Sequence, residues 1–447
     1  MERESMNFDV VIIGAGPAGL SAAIKLKQLS QETDQDLQIC VIEKGSEVGA
    51  HILSGAVFEP RALDELIPDW KERGAPLNTP ASEDHFCYLS QGKAWRLPTP
   101  PQMHNKGNYI ISLGNLCRWL GEQAEALGVE IYPGFAATKM IYDETGRVIG
   151  IATGDMGITQ TGEKGPNWQP GINLMAPFTI ISEGCRGSNA QHLMQHFDLR
   201  SKAQNQTYAI GLKELWEIKS EKSTPGKIWH STGWPLKSDV YGGSFVYHLN
   251  DHQLSIGFVV GLDYQNPYLS PYQEFQRFKH HPTIAPLLEG GRRIAYGARA
   301  LNEGGFQSIP ETVFPGGIIA GCSAGFLNVP KIKGSHSAMK TGMLAAETIF
   351  EQLCKPDFDD LETLRDIHQK RFKQSWVYDE LYRVRNIRPA FKWGFLLGLG
   401  YSAIDTLLLR GKAPWTLKHH GSDHESLKDK SNVKPIEYPK PDGKISF

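Results

Sequence analysis

The stretch Asp9-Val-Val-Ile-Ile-Gly-Ala-Gly-Pro-Ala-Gly-Leu20, with Ile39-Cys-Val-Ile-Glu43 twenty residues on, decides the fold. Val10 to Ile13 form an uninterrupted apolar run, as expected of a strand covered on both faces. Gly14, Gly16 and Gly19 then set out G-x-G-x-x-G, and Leu20 to Leu29 carry a helical apolar pattern. Glycines suit these places because the turn is tight, the backbone must approach a pyrophosphate, and the helix must pack closely on the strand. The free N–H groups of the helix N-terminus complete an anion site with Pro17 and Ala18. Glu43 ends the second apolar strand, placing a carboxylate where it can accept hydrogen bonds from adenosine ribose hydroxyls, with Lys44 beside it. A dinucleotide-binding strand–turn–helix–strand is therefore expected within the first fifty residues. A tight turn without ligand is the plain structural alternative.

At 447 residues the chain calls for two or three domains. Lys+Arg 47 against Asp+Glu 49 leaves a formal net charge of −2, so no global field favours nucleic acid. The six cysteines (Cys40, Cys87, Cys117, Cys185, Cys322 and Cys354) stand singly, without a C-x-x-C pair. That spacing excludes a zinc ribbon or a cluster on closely spaced thiolates, and fits a reducing compartment. The first strand begins by Phe8, so no signal or transit peptide is expected ahead of it. No uncharged apolar run is long enough for an ordinary membrane-spanning helix.

The segment 61–106 is proline-rich and reads as irregular. Leu113 to Leu127 form an amphipathic helix, followed by the strand Val129 to Tyr132 and a hairpin of Ala136–Tyr142 with Val148–Thr153. Pro177 to Gly184 return as a short buried strand. Residues 205–300 alternate polar and apolar, predicting an antiparallel sheet in a second domain. Ile318 to Gly325 read as another strand-to-helix turn, Ser337 to Leu353 as a helix, and charged helices follow Pro356. The fold class is α/β, or α+β over two domains. A discontinuous Rossmann domain is expected at 6–80, 105–200 and 300–355, a second domain at 81–104, 201–299 and 356–425, and a linker at 426–447.

Three separated segments read as parts of one cofactor site. Beside the first turn stand Ile180-Ile-Ser-Glu-Gly-Cys-Arg-Gly-Ser188 and Ile319-Ala-Gly-Cys-Ser-Ala-Gly325, both small-residue turns that admit close backbone approach. Glu183, Gly184, Gly321, Cys322 and Gly325 are the candidates there, with a plain turn or helix cap as the alternative. Together the three segments resemble those of the glutathione-reductase-like FAD-binding fold. Cys322 and Ser323 stand where that fold commonly carries the acid holding the ribityl chain, so no carboxylate is assigned to it. Arg118, on the amphipathic helix, is a candidate for the pyrophosphate or simply a surface arginine.

Longer motifs narrow the resemblance. Gly49-Ala-His-Ile-Leu-Ser-Gly55, Tyr264-Gln-Asn-Pro-Tyr268, Tyr296-Gly-Ala-Arg-Ala-Leu-Asn-Glu-Gly-Gly305, Asn328-Val-Pro-Lys-Ile-Lys-Gly334 and Pro414-Trp-Thr-Leu-Lys418 resemble the electron-transfer flavoprotein–ubiquinone oxidoreductase family. The likeness runs from about Phe8 to Phe447. It implies an FAD enzyme on a membrane surface, taking electrons from reduced electron-transfer flavoprotein and delivering them to ubiquinone. The location implied is the cytoplasmic face of a bacterial inner membrane, or the matrix face of the mitochondrial one. Ser54 and Gly55 join the cofactor candidates. Asn328, Ser335 and Ser337 become candidates for tuning the flavin, with turn and helix capping as the alternative. Tyr241-Gly242-Gly243 matches the family's quinone site, where backbone groups meet the ring; a β-bulge is the plain alternative. The family also carries a C-terminal ferredoxin-like domain with a 4Fe–4S cluster, whose cysteine ligands are absent here. Truncation and a separate ferredoxin-like subunit are both open.

Trp393 to Leu409 is apolar apart from Asp405 and framed by Lys392, Arg410 and Lys412. As one helix it would span ~25 Å, short of the ~30 Å hydrocarbon core, which suits shallow monotopic attachment. An ordinary core helix is the alternative. Competing readings of the whole chain are a polyprenyl (geranylgeranyl) reductase, a nicotinamide-driven hydroxylase, and a flavin subunit inert without its partner.

Overall fold

A computed structural model describes residues 3–53, 55–355, 360–419 and 421–447. Its first layer is a six-stranded sheet in the order Val313–Phe314, Gly317–Ile319, Phe178–Ile181, Val10–Ile13, Ile39–Glu43, Glu130–Pro133. All neighbours run parallel except the short hairpin at the first edge. Ile12 stands opposite Val41 on one side and Ile180 on the other. The unbroken apolar run follows from this: Val10 and Ile12 face one core with Leu20, Ile24, Met339 and Ile349, while Val11 and Ile13 face another with Ile151, Leu193 and Phe314. Helices Pro17–Glu32, Leu113–Ala126 and Ser335–Leu353 cover the first face.

The second sheet has seven strands, ordered Arg292–Asn302, Tyr208–Glu217, Gln253–Gly261, Gly242–His248, Lys227–Gly233, Glu83–Leu89, Ala94–Leu97. Its core gathers Trp216, Ile256, Phe258 and Val260 with Phe275 and Phe278 of the helix Pro271–Lys279. Inside it, the Lys279 ammonium and Arg293 both pair with the buried Glu214 carboxylate, at 3.0 and 3.2 Å.

Four expectations change. Residues 83–97 are not irregular: they form a hairpin whose first strand runs parallel to Lys227–Gly233, so the second sheet is mixed. Prolines masked that pattern, yet they lie outside the strands. Leu361–Gln374 and Trp376–Val384, expected in the second domain, pack on the first sheet, with Leu364 in one of its cores and Val377 and Leu381 in the other. The turn after Gly317–Ile319 leads not into a helix but through a 3-10 turn and a loop, and the long helix begins only at Ser335. Residues 426–447, expected as a linker, lie against the second sheet: Ile445 is buried, and the Tyr438 hydroxyl donates to Glu274 at 2.9 Å.

Candidate functional site

The three small-residue turns meet at one end of the parallel sheet, around a cavity of about 630 Å³. Serines stitch them together. Ser182 Oγ donates to the carbonyls of Ile13 and Gly14 at 2.8 and 3.0 Å, and Ser323 Oγ donates to that of Gly184 at 3.2 Å. Gly14, Gly16, Pro17, Ala18, Glu43, Lys44, Glu183, Gly184 and Cys322 line this cavity. Glu43 is fixed at the strand end, its two oxygens accepting from the N–H groups of Ala15 and Gly45 at 3.1 and 2.7 Å.

The cradle fits an extended dinucleotide. No side chain caps the helix Pro17–Glu32, so its first-turn N–H groups are left for a ligand. A Cβ placed on Gly16 would meet nothing within 4 Å, whereas one on Gly19 would stand 2.0 Å from the Gly14 carbonyl oxygen. The first glycine thus leaves room for a ligand and the second lets helix meet strand. Gly321 and Gly325 likewise serve packing behind the wall: a Cβ on Gly321 would crowd Ala18 at 2.9 Å, and one on Gly325 would crowd Gln206 at 2.7 Å.

Several candidates are committed elsewhere. The Glu183 carboxylate turns from the cavity to accept from Asn189 Nδ2 and the Ala190 N–H, both at 2.9 Å, tying down the start of the helix Ser188–His196. Arg118 pairs at the surface with Glu47 at 3.0 Å and with Asn115 at 2.9 Å, and does not line the cavity. Asn328 sits in a bridged turn with Lys333 that aims its amide at Glu380, to which it donates at 2.9 Å. Ser337 Oγ donates to the carbonyls of Phe326 and Gly334, at 2.5 and 3.0 Å, as a helix-entry contact. Ser335 alone of the three tuning candidates lines the cavity, at the uncapped N-terminus of the helix Ser335–Leu353. Gly55 packs against Ser255 rather than the cavity. Ser54 lies outside the described residues.

Sequence reading missed two cations. Arg299, inside the quoted motif Tyr296–Gly305, lines the cavity from the edge of the second sheet. Lys213 donates to the Gly55 carbonyl at 2.7 Å; burial first, and the charge of Arg299 second, pull its amine down to about 8. Strand alternation alone marked neither.

Gly242 and Gly243 open a strand of the second sheet, and Tyr241 immediately precedes it. Tyr241 accepts from the Gly261 N–H at 2.8 Å, and the two glycines register with Val260 and Val259. On the other side the ladder begins only at Ser231–Ser244, leaving that edge of the two glycines outside the strand pairing. Phe391 meets the Tyr241 ring edge-on at 5.2 Å, and Phe395 meets Tyr88 at 5.8 Å. These aromatics anchor the apolar segment beside the glycines. It is a broken helix, Phe395–Ala403 and then a π-helical turn Ile404–Leu408, rather than one continuous rod. Leu396 and Leu408 are 79% and 76% exposed, with Trp393, Leu397, Leu407 and Trp415 around them. Asp405 turns inward, where burial raises its pKa, so its charge does not interrupt this apolar face. Among the described residues, no helix is long and apolar enough to cross a membrane.

With that geometry in place, comparison with known proteins adds three findings. Residues 208–301 match the family described as "ETF-QO, ubiquinone-binding", and residues 12–69 match the NAD(P)-binding Rossmann-like domain. The mitochondrial electron transfer flavoprotein-ubiquinone oxidoreductase of Oryza sativa is 56% identical over the whole of this chain and 76% of its own length. That of Mus musculus is 56% identical over the whole chain and 74% of its own length. Among solved structures, a geranylgeranyl bacteriochlorophyll reductase-like protein from Thermoplasma acidophilum has a TM-score of 0.66 at 17% identity, covering 94% of this chain and 90% of its own. The myxobacterial chondrochloren halogenase has a TM-score of 0.62 at 15% identity, covering 91% of each chain. At those identities the likeness speaks for the fold of FAD enzymes. The identity over the full chain speaks for more: this chain belongs to the electron transfer flavoprotein-ubiquinone oxidoreductase family.

Proposed function

We propose that this protein is an FAD oxidoreductase that takes electrons from reduced electron-transfer flavoprotein and delivers them to ubiquinone at a membrane surface. One observation carries this reading: a single sheet reaches both sites. Its edge strand supplies Arg299 to Asn302 to the dinucleotide cavity, and three strands across it holds Tyr241 to Gly243 beside the exposed apolar segment. A ring in the cavity and a quinone at the glycines would then be neighbours through one rigid layer.

FAD, when bound, supplies the electron-carrying ring chemistry, and the side chains tune and position it. The first-turn N–H groups behind Gly16 would hold the pyrophosphate, and Glu43 would hold the adenosine ribose. Ser335 and the positive end of its helix would favour negative charge on a bound ring. The glycine backbone at 242–243 meets the quinone carbonyl oxygens. Trp393, Leu396, Leu397, Leu407 and Leu408 dip into the lipid, framed by Lys392, Arg410 and Lys412. The membrane would be the mitochondrial inner membrane on its matrix face, or a bacterial inner membrane on its cytoplasmic face. The family's 4Fe–4S cluster has no ligand set here: among the described residues, the one grouping suited to a metal is Glu59, His336 and Glu380, and Lys331 bridges its two carboxylates at 2.5 and 2.8 Å. A cluster would therefore come on polypeptide outside residues 1–447 or on a ferredoxin-like partner.

The test is reconstitution. FAD-loaded protein with reduced electron-transfer flavoprotein should reduce a soluble quinone analogue. Quinone that stays oxidised, even with a ferredoxin-like cluster protein added, refutes the reading.

A further inference from the structure

One cation at the dinucleotide cavity has no partner. The two carboxylates that line the cavity are already committed: Glu43 accepts from the Ala15 and Gly45 N–H groups, and Glu183 from Asn189 and Ala190. Of the cations, Arg186 lies 5.0 Å from the centre of the Tyr208 ring, and Lys44 stands beside Glu43. Arg299 lines the same cavity, and among the described residues its guanidinium has neither a hydrogen bond nor an ion pair. Its Nη2 lies 3.8 Å from the point where a Cβ on Gly184 would stand. The side chain thus reaches from the edge of the second sheet to the small-residue turn of the first.

The surroundings offer this guanidinium repulsion rather than compensation. Lys213, whose amine feels the Arg299 charge, is held by the carbonyls of Gly55 and Leu53, at 2.7 and 3.4 Å. Burial raises the Cys185 and Cys322 thiols of the cavity wall, and the Arg299 charge pulls both the other way. A cation set beside another cation, with every nearby carboxylate engaged, is costly until an anion arrives.

The cofactor supplies two kinds of negative charge. Oxidised FAD carries its charge on the pyrophosphate, for which the uncapped first turn of the helix Pro17–Glu32 already has free N–H donors. Its ring is neutral. Two electrons taken up with one proton leave the cofactor one charge more negative. Ser335 and its helix end offer that charge a dipole but no full counter-charge.

Building on the proposed function, we infer that Arg299 is the counterion for the negative charge that FAD gains on reduction. It sets how readily the cofactor accepts electrons, not how tightly oxidised FAD is held. The electrons come from reduced electron-transfer flavoprotein and the proton from solvent. No bond to Arg299 forms or breaks: an arginine stays protonated throughout and acts by its charge alone. An opposite charge within ~4–6 Å favours the charged form of a group by about tenfold or more.

The test uses the full chain loaded with FAD, titrated anaerobically in a spectroelectrochemical cell. Arg299→Met keeps an unbranched stem and removes the charge. It should weaken binding of reduced FAD relative to oxidised FAD on the order of tenfold, a fall of about 30 mV in the two-electron potential. Affinity for oxidised FAD, read from flavin fluorescence, should stay at the wild-type value. Arg299→Lys, which keeps the charge, should keep the wild-type potential. An unmoved potential in Arg299→Met overturns the inference, and equal loss of affinity for both forms of FAD would give the guanidinium to the pyrophosphate instead. A fall in Arg299→Lys as large as in Arg299→Met also overturns it, because charge would not be what matters. Should Arg299→Met not load FAD, Arg299→Gln carries the same measurement. Failure of both to load overturns the inference too, since the oxidised cofactor would then need the guanidinium. The titration uses no quinone, so wild type that loads FAD and cannot reduce quinone refutes the proposed function and leaves this result standing.

Discussion

The dinucleotide cradle and the quinone face are built by opposite means. The cradle comes from short sequence-local turns, each strand ending in small residues, and its geometry is set by backbone against backbone. Gly14, for example, has φ +101, and a Cβ there would stand 2.6 Å from the Ser182 carbonyl oxygen. The quinone face gathers distant segments, the hairpin 83–97, the strand at Gly242, and Phe391 to Leu408, and holds them by aromatic contacts. The cradle should therefore fail abruptly under one added methyl group. The quinone face should degrade by degrees as apolar area is removed.

The largest effect tests the first half of that contrast. Gly19→Val places carbon within 2.0 Å of backbone and 2.6 Å of Ser182 Oγ, forcing helix from strand. Overpacking of this kind costs on the order of 3 kcal/mol, so the variant should emerge without flavin absorbance and with a markedly lower unfolding midpoint. Gly16→Ala is the control. With open space at that point, it should keep the wild-type midpoint in the absence of FAD yet lose FAD affinity, because only the ligand meets the methyl. Equal midpoints and equal flavin content in both variants would show that the two glycines do one job, contrary to the geometry.

The second prediction concerns the graded side. Leu396→Glu and Leu397→Glu each remove an exposed leucine from the apolar face. Burying one leucine in lipid is worth about 2 kcal/mol, so each change should weaken vesicle binding more than tenfold, and the pair should act roughly additively. Flavin content and the unfolding midpoint should hold. Vesicle flotation of the single and double variants measures this, and unaltered binding in the double variant would remove the membrane role from this segment.

This division explains what the sequence made legible. Glycine spacing, an apolar run and a terminal acid mark each turn of the cradle because the determinants within a turn are adjacent in the chain, although the turns meet from three separated segments. The strands at 83–97 escaped notice because their pairing partner, Lys227–Gly233, lies far along the chain and their flanks are rich in proline. The helices at 361–384 pack on the first sheet rather than the second for a related reason: an amphipathic pattern shows that a face is buried, not against what. Arg299 and Lys213 read as ordinary positions of alternating strands, and only the tertiary fold brings Arg299 to the rim of the cavity and Lys213 onto the Gly55 carbonyl.

The smallest effect separates residues that a shared loop makes look alike. The resemblance favours Asn328 and one of Ser335 and Ser337, yet of the three only Ser335 faces the cavity. Ser335→Ala should remove a donor worth about 1 kcal/mol, lowering the flavin potential by roughly 40 mV per electron, with stability nearly unchanged. Asn328→Ala should do the reverse. It frees Glu380, which is also held by Lys331 and His336 at 2.8 Å each, and leaves the backbone of the turn at Lys331 without its acceptor. The unfolding midpoint should therefore fall while the potential stays put. Spectroelectrochemical titration beside thermal unfolding of both variants gives the answer. A potential shift in Asn328→Ala without loss of stability would mean that the turn reverses when the cofactor binds, and that local order in this loop belongs to the quinone side's graded kind rather than to the rigid cradle.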